Sequence, residues 1–332
     1  MPRRIITIEE HFLNPAVQAT GHDRALAHTP YFGLSFDPSN GLPYSVSPDK
    51  LTNLGDARIA AMDAHGISMQ VISSLTTQYL SADVAPDLVR ATNNIAAEAV
   101  HAHPDRFAAF AALPTSAPEA AADELSRCVE ELGFVGTMIM GRTEDEFLDA
   151  ERFAPILARV AELDVPLYLH PGAPPAETSR TNYEGLNPIV TARFQTAAWG
   201  WHNETAVHFI HLYLSGVFDR HPALQVILGH WGELMPFYLD RIDEAIPPRA
   251  SGLDRGFAEV FRQNVYVTPS GMFTQANLTY CIEMLGVERV MHSVDYPFVS
   301  NDGADTFLEG AKISEADKEL IAHGTAERLL SL

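Results

Sequence analysis

Positive charge is scarce in this sequence. Lysine and arginine together number 22 against 43 aspartates and glutamates, a formal net charge of −21 at neutral pH. The field of such a chain repels phosphate backbones and anionic bilayers, which excludes nucleic acid and membrane surfaces as partners. An anionic small molecule must approach against the same field, so a buried cation or local arginines would have to reverse the potential in its pocket. Cysteine is nearly missing too. Cys128 and Cys281 lie far apart without Cys-x-x-Cys spacing, which argues against a disulfide framework or a thiolate zinc knot. Long apolar runs are lacking: nothing approaches the roughly 20 residues of a membrane span. Met1-Pro2-Arg3-Arg4-Ile5-Ile6 enters a strand at once, without the pattern of a signal peptide, and the expected location is the cytoplasm.

What is present is a 46% hydrophobic composition, enough for a large core in a soluble globular chain. Short β-branched runs alternate with helix-length segments. Candidate strands fall at residues 5–9, 69–73, 107–111, 135–140, 166–170, 224–229, 265–268 and 289–293. Helical spacing of apolar residues marks 57–65, 82–103, 117–132, 153–163 and 204–218. Eight strand-helix units predict a parallel α/β fold, and eight is the number that closes into a (β/α)8 TIM barrel filled by its own side chains. One barrel domain over 1–332 is therefore expected. An open doubly wound sheet would carry Gly-x-Gly-x-x-Gly after the first strand, and no such turn follows here. Residues 12–53 after strand one and 171–200 after strand five are too long for turns and rich in Pro, Gly, Asn and Ser. They are read as long loops over the active face, serving as a lid or as surface packing.

Residues two apart on a strand share a side, so Glu9 and His11 in Ile8-Glu9-Glu10-His11-Phe12 face the barrel axis together. Glu10 then faces away, and metal content is expected not to depend on it. His170 ends the run Val165-Pro166-Leu167-Tyr168-Leu169, and Pro171-Gly172 stop the strand there. His230 ends Val226-Ile227-Leu228-Gly229, and Asp295 follows Ser293-Val294 at the eighth strand. Packing alone gives no reason for ionisable groups to end four strands together. In a barrel those ends converge on the face where active sites are built. A nitrogen-and-carboxylate set without thiolate suits zinc, manganese, magnesium or iron. A two-metal site of this kind often needs a carboxylated lysine at a strand end, but Lys50, Lys312 and Lys318 are the only lysines and none ends a candidate strand. One metal is the economical reading. His22, His28, His101, His103, His208, His211 and His221 are read as structural or solvated, and His292 can face either the barrel or the helices.

Four motifs then belong together: Glu9-Glu10-His11-Phe12, Tyr168-Leu169-His170-Pro171, Ile227-Leu228-Gly229-His230-Trp231-Gly232-Glu233 and His292-Ser293-Val294-Asp295-Tyr296-Pro297-Phe298. They resemble the amidohydrolase-related non-oxidative decarboxylases, the branch containing aminocarboxymuconate semialdehyde decarboxylase and the γ-resorcylate and 2,3-dihydroxybenzoate decarboxylases. The resemblance runs nearly the whole length and includes His103-Pro104-Asp105-Arg106-Phe107 and Gly216-Val217-Phe218-Asp219-Arg220. It implies Glu9, His11, His170 and Asp295 as ligands of one divalent ion, zinc or manganese with magnesium as a third choice, and no organic cofactor. It further implies that His230 and Glu233 assist catalysis, that the substrate is a small aromatic carboxylate, and that the chain forms a homodimer or homotetramer. Arg241 resembles a substrate-proximal arginine of the family, although its flanking Asp240 and Asp243 also suit a surface ion pair. Tyr296 and Phe298, with Trp199 and Trp201, are candidates for the walls of an aromatic pocket. Met140 departs from the pattern: dihydroxybenzoate-acting members carry an asparagine near this point, and His-Pro-Arg or His-Pro-Thr where this chain has His170-Pro171-Gly172. A less hydroxylated or bulkier substrate is implied.

Decarboxylation of such an acid needs a proton at the ring carbon bearing the carboxylate, and the resemblance gives that role to Asp295. If the chain turns into a helix after His230, Glu233 comes back to orient the imidazole. The alternative is a metal-dependent hydrolase of a lactone or amide, in which Asp295 would deprotonate a metal-bound water. A non-catalytic binding barrel is a third reading.

Overall fold

A computed structural model describes residues 3–332. Among these residues seven strands are regular: β1 (Ile6–Phe12), β2 (Met69–Ser74), β3 (Phe107–Ala109), β4 (Thr137–Met140), β5 (Leu167–His170), β6 (Val226–Leu228) and β7 (Val265–Val267). They form two sheets, β1-β2-β3 and β4-β5-β6-β7, with every pairing parallel. Backbone bonds continue from sheet to sheet. Ala111 pairs with Thr137 between β3 and β4, and Val267 of β7 pairs with Val290. The Ile8 N–H then donates to the His292 carbonyl at 3.2 Å, which returns the circuit to β1.

The expected eighth strand at 289–293 is corrected. Val287–Arg289 is a 3-10 turn, and only Val290 makes a ladder pair. Bonding beyond Val290 is irregular: the Met291 N–H donates to the Val267 carbonyl at 3.0 Å, whereas the Val294 N–H goes to the Glu10 carboxylate at 3.0 Å, a side chain in place of a neighbouring backbone carbonyl.

Side-chain alternation fills the ring. Ile6 and Ile8, Met69 and Val71, Ala108, Met138, Tyr168, Ile227, Tyr266 and Met291 form one buried cluster to which β1 through β7 and the 290–294 segment all contribute. Counting two residues onward from the last of these on β2, β4, β5, β6, β7 and the 290–294 segment reaches Ser73, Met140, His170, Gly229, Thr268 and Ser293; on β1 the same count from Ile8 reaches Glu10, and Glu9 and His11 stand on the opposite alternation. The layer above the apolar cluster is thus polar at most strand ends. β1 also carries a register shift between Thr7 and Glu10, a bulge of the kind that re-aims side chains beside active sites.

A second, larger apolar cluster lies between strands and helices. Ala85–Ala102 buries Val89, Ala96 and Ala99 on one face and ends where His103 (φ −138°, ψ 62°), the residue before Pro104, is pushed out of helical conformation. The segments expected as long loops are largely helical: Pro15–His28, Phe32–Phe36 and Pro48–Thr52 follow β1, and Ala176–Asn182 and Pro188–Gln195 follow β5. Asn14, Pro15, Pro48, Asn187 and Pro188 mark helix starts, not loop breaks. Asn14 and Asn187 each accept a backbone N–H at 3.0 Å as caps, and the prolines occupy the first helical turn, where a missing N–H costs nothing. No helix among the described residues is long and apolar enough to cross a membrane.

Ile227 is fully buried inside the ring. Ile227→Ala is expected to lower stability by about 2–5 kcal/mol, read as a lower urea midpoint at unchanged m-value; a shift under 1 kcal/mol would mean that this interior packs loosely.

Candidate metal centre

Glu9, His11, His170 and Asp295 each offer a ligand atom, and these atoms lie within 4.8 Å of one another. His11 Nε2 stands 3.0 Å from Asp295 Oδ1, and His170 Nε2 stands 3.4 Å from Glu9 Oε1. The other nitrogen of each imidazole is held from behind. His11 Nδ1 bonds Ser73 Oγ at 3.0 Å, and His170 Nδ1 donates to the Pro171 carbonyl at 2.9 Å, which leaves Nε2 as the lone-pair side. Burial holds His170 well below the usual imidazole range, the neutral form that a metal ligand requires.

The donor set fits a divalent cation on the structure's own evidence. Glu9 Oε1, His11 Nε2 and His170 Nε2 are buried atoms with no hydrogen-bond partner, and all three point into the shared space. Glu9 Oε2, by contrast, is well supplied: Ser293 Oγ lies at 3.3 Å, Thr268 Oγ1 at 3.4 Å, and the Ser270 hydroxyl also donates to it. Burial nevertheless raises the Glu9 carboxyl above its ordinary range, although His230 pulls the other way. Gly229 keeps the space open: a Cβ there would lie 2.6 Å from Ser270 Oγ and 2.8 Å from Glu9 Oε1. Gly172 is equally constrained, since a Cβ would lie 2.4 Å from the Gly141 Cα, so the backbones ending β4 and β5 touch where an arginine or threonine was otherwise anticipated.

His230 Nε2 lies 3.9 Å from Asp295 Oδ2, while its Nδ1 bonds Glu233 Oε1 at 2.8 Å. The expected helical turn exists but is left-handed: φ is 49° at His230, 61° at Trp231, 77° at Gly232, 53° at Glu233 and 67° at Leu234. Each non-glycine residue in that conformation costs about 1–2 kcal/mol. The His230 N–H to Ser270 Oγ, the Trp231 N–H to the Thr268 carbonyl and Trp231 Nε1 to the Met272 carbonyl, each at 2.8 Å, hold it. Burial disfavours a charged His230, but the Glu233 and Glu9 carboxylates outweigh it and raise the imidazole to about 10. Glu233 in turn is pushed up by burial but pulled below the ordinary range by His230 and His202. His202 Nδ1 lies 2.7 Å from Glu233 Oε2, so one carboxylate serves two imidazoles.

A cavity opens above the centre, with His170, His230 and Asp295 in its floor and Met140, Trp201, Phe36 and Phe298 among its walls. Phe36 and Trp201 stack at 5.9 Å, closing the segment after β1 against the helix Gly200–Leu214, and Ser35 Oγ donates to the Ala192 carbonyl at 2.8 Å.

Known proteins carry the same frame. A family model described as Amidohydrolase matches residues 49–332. The chain belongs to the amidohydrolase family. This amidohydrolase is 37% identical to decarboxylase orsB of Emericella nidulans, over 99% of this chain and 97% of that protein. It is 36% identical to the γ-resorcylate decarboxylase of a Rhizobium species, over 98% of each. Among solved structures, a dihydroxybenzoic acid decarboxylase from a Polaromonas species, with bound manganese and the inhibitor 2-nitroresorcinol, superposes at a TM-score of 0.86 with 34% identity, covering 99% of this chain and 97% of that one.

Not every anticipated residue reaches the site of this amidohydrolase. Arg241 is 72% exposed at its side chain and pairs with Glu244 at 3.2 Å, a surface ion pair with a different acid from the flanking Asp240 and Asp243, and it does not line the cavity. Tyr296 is buried under the Arg58 guanidinium, 5.0 Å from its ring centroid, away from the cavity. Trp199 is 44% exposed, whereas Trp201 two residues on lines the wall. His292 settles toward the helices, its Nε2 donating to the Ala304 carbonyl at 2.8 Å. His202, Ser270 and Ser73 escaped notice: His202 lies in a first helical turn with no strand to place it, but both serines sit on the same pleat count that located His170.

Gly229→Ala is expected to weaken metal binding by about tenfold or more through displacement of Glu9 and Ser270, measured as metal per protein after desalting. Full occupancy in a normally folded variant would show that this glycine does not hold the site open.

Proposed function

We propose that the chain is a metal-dependent, non-oxidative decarboxylase of a hydroxylated benzoate-type acid, built as a single (β/α)8 barrel with residues 290–294 as its eighth strand. The reading rests on one observation above others: four potential ligand groups, three of them with unpartnered buried ligand atoms, gather at the base of an apolar, aromatic-walled cavity that His170 and Asp295 line. Similarity over almost the whole chain to decarboxylases of dihydroxybenzoates supports it. Manganese is the first choice of metal, and Glu9, His11, His170 and Asp295 are its ligands.

A divalent ion in that floor supplies the positive charge that the chain's own net charge denies an anionic substrate. The residues do the rest. The ring of the acid lies against the wall that Phe36 builds with Phe298 and Trp201, and the segments after β1 and β5 exclude water. Asp295 gives its proton to the ring carbon that bears the carboxylate, and the ring π electrons form the new C–H bond. The bond to the carboxylate then breaks, its electrons restore the aromatic ring, and CO2 leaves. His230, kept cationic by Glu233, faces the Asp295 carboxylate as it becomes charged. Met140 and the apolar wall favour a substrate with fewer hydroxyls or a bulkier substituent than a dihydroxybenzoate. The protein works in the cytoplasm as a homodimer or homotetramer, and the exposed rings of Phe237 and Tyr238 mark surface such an assembly would cover.

Manganese-loaded protein is expected to release CO2 from members of a 2-hydroxybenzoate panel, with higher kcat/KM for less hydroxylated or bulkier acids. Ring opening of lactones without CO2 release would replace this reading by hydrolysis. Asp295→Asn is expected to lower turnover by about 100- to 10,000-fold while some metal is retained; normal turnover in that variant would remove Asp295 from proton delivery.

A further inference from the structure

Glu10, the residue between two of the proposed ligands, faces away from the metal centre and is wholly buried beside Arg58 of the helix Asp56–Asp63. Its carboxylate accepts two backbone N–H groups, Val294 at 3.0 Å through Oε1 and Tyr296 at 3.1 Å through Oε2. Those two amides flank Asp295, which sits at φ 68°, a conformation uncommon for any residue but glycine. Gln70 Nε2 also donates to Glu10 Oε2 at 3.3 Å, and Gln70 Oε1 accepts from Arg58 Nε at 2.7 Å. Arg58 Nη1 then donates to the His11 carbonyl at 2.8 Å. One buried network therefore grips the backbone of both His11 and Asp295 from behind, while their side chains meet at 3.0 Å in front.

We infer that Glu10 is a positioning residue for the metal centre: its carboxylate clamps residues 294–296 so that Asp295 keeps its left-handed backbone and presents its side chain opposite His11. The inference rests on the reading of Glu9, His11, His170 and Asp295 as ligands of one ion. A carboxylate is suited to the task because its two oxygens can take two N–H groups pointing the same way, as neither an amide nor a hydroxyl can. Arg58, through Gln70, ties the same clamp to β1, so the two ends of the ring circuit are locked in mutual register where they carry ligands. The expectation that metal content is indifferent to Glu10 is thereby reversed, although its outward direction stands.

Glu10→Gln keeps the shape and removes one acceptor. Metal-free Glu10→Gln protein is expected to bind Mn2+ about 10- to 100-fold more weakly than wild type, measured by competition with a chelator, with unchanged far-ultraviolet circular dichroism. A purely structural Glu10 would instead lower the melting temperature of the metal-free protein and leave the Mn2+ affinity untouched, and that result overturns the proposal. Should Glu10→Gln fail to fold, Glu10→Asp keeps the charge but withdraws both oxygens from the Val294 and Tyr296 amides; weaker Mn2+ binding by folded Glu10→Asp upholds the clamp and unchanged binding overturns it. Because affinity is read without turnover, wild-type protein that binds Mn2+ but releases no CO2 would sink the decarboxylase reading alone. Wild-type protein that binds no Mn2+ would sink the clamp as a device for a metal.

Discussion

The buried carboxylate of Glu9 is the constraint on which the rest of the site depends. It has no exposure to solvent, and a carboxylate moved out of water costs several kcal/mol unless its charge and lone pairs are answered. Three hydroxyls, from Thr268, Ser270 and Ser293, answer Oε2; among the described residues none hydrogen-bonds Oε1. In the proposed reading, a divalent ion shared with His11, His170 and Asp295 would complete the balance. The surrounding choices follow from it: no side chain at Gly229, small hydroxyl residues closing β7 and the 290–294 segment, and a neutral imidazole at His170.

Strain accumulates where those groups are delivered. Four non-glycine residues of the turn 230–234 and Asp295 itself lie in the left-handed region. Such residues persist only when their surroundings over-determine them. Here the surroundings are strand ends: β7 supplies the Thr268 carbonyl to Trp231, and β1 supplies the Glu10 carboxylate to both sides of Asp295. Each mobile-looking turn is thus bonded to a neighbour in the ring, and the electrostatics of His230, Glu233 and His202 are fixed in position before any substrate arrives.

Sequence reading reached the strands and the residues that end them because both rest on local periodicity. Alternation of period two predicted Glu9 with His11, and a Pro-Gly stop predicted where His170 would stand. It failed where a local signal has two physical meanings. Asn and Pro were taken for loop formers, yet Asn14-Pro15 and Asn187-Pro188 cap helices. An arginine between acids at 241 was taken toward the substrate, yet it meets Glu244 in solvent. The eighth strand was overextended: only Val290 makes a ladder pair, and the segment beyond it is held in part by the Glu10 side chain of another strand, which no local pattern encodes. His202 was invisible because only the packing of a helix start against β6's turn brings it to Glu233.

The sequence by itself determined which residues could bind a metal and at which strand ends they stand, since side-chain direction along a strand is a property of neighbouring peptide units. Only the tertiary structure decided that they meet. Convergence needs backbone bonds between residues nearly three hundred positions apart, such as Ile8 with His292, and these form only when the strands close on themselves. The same closure turned Glu10 from an idle neighbour of Glu9 and His11 into the group that bonds both sides of Asp295.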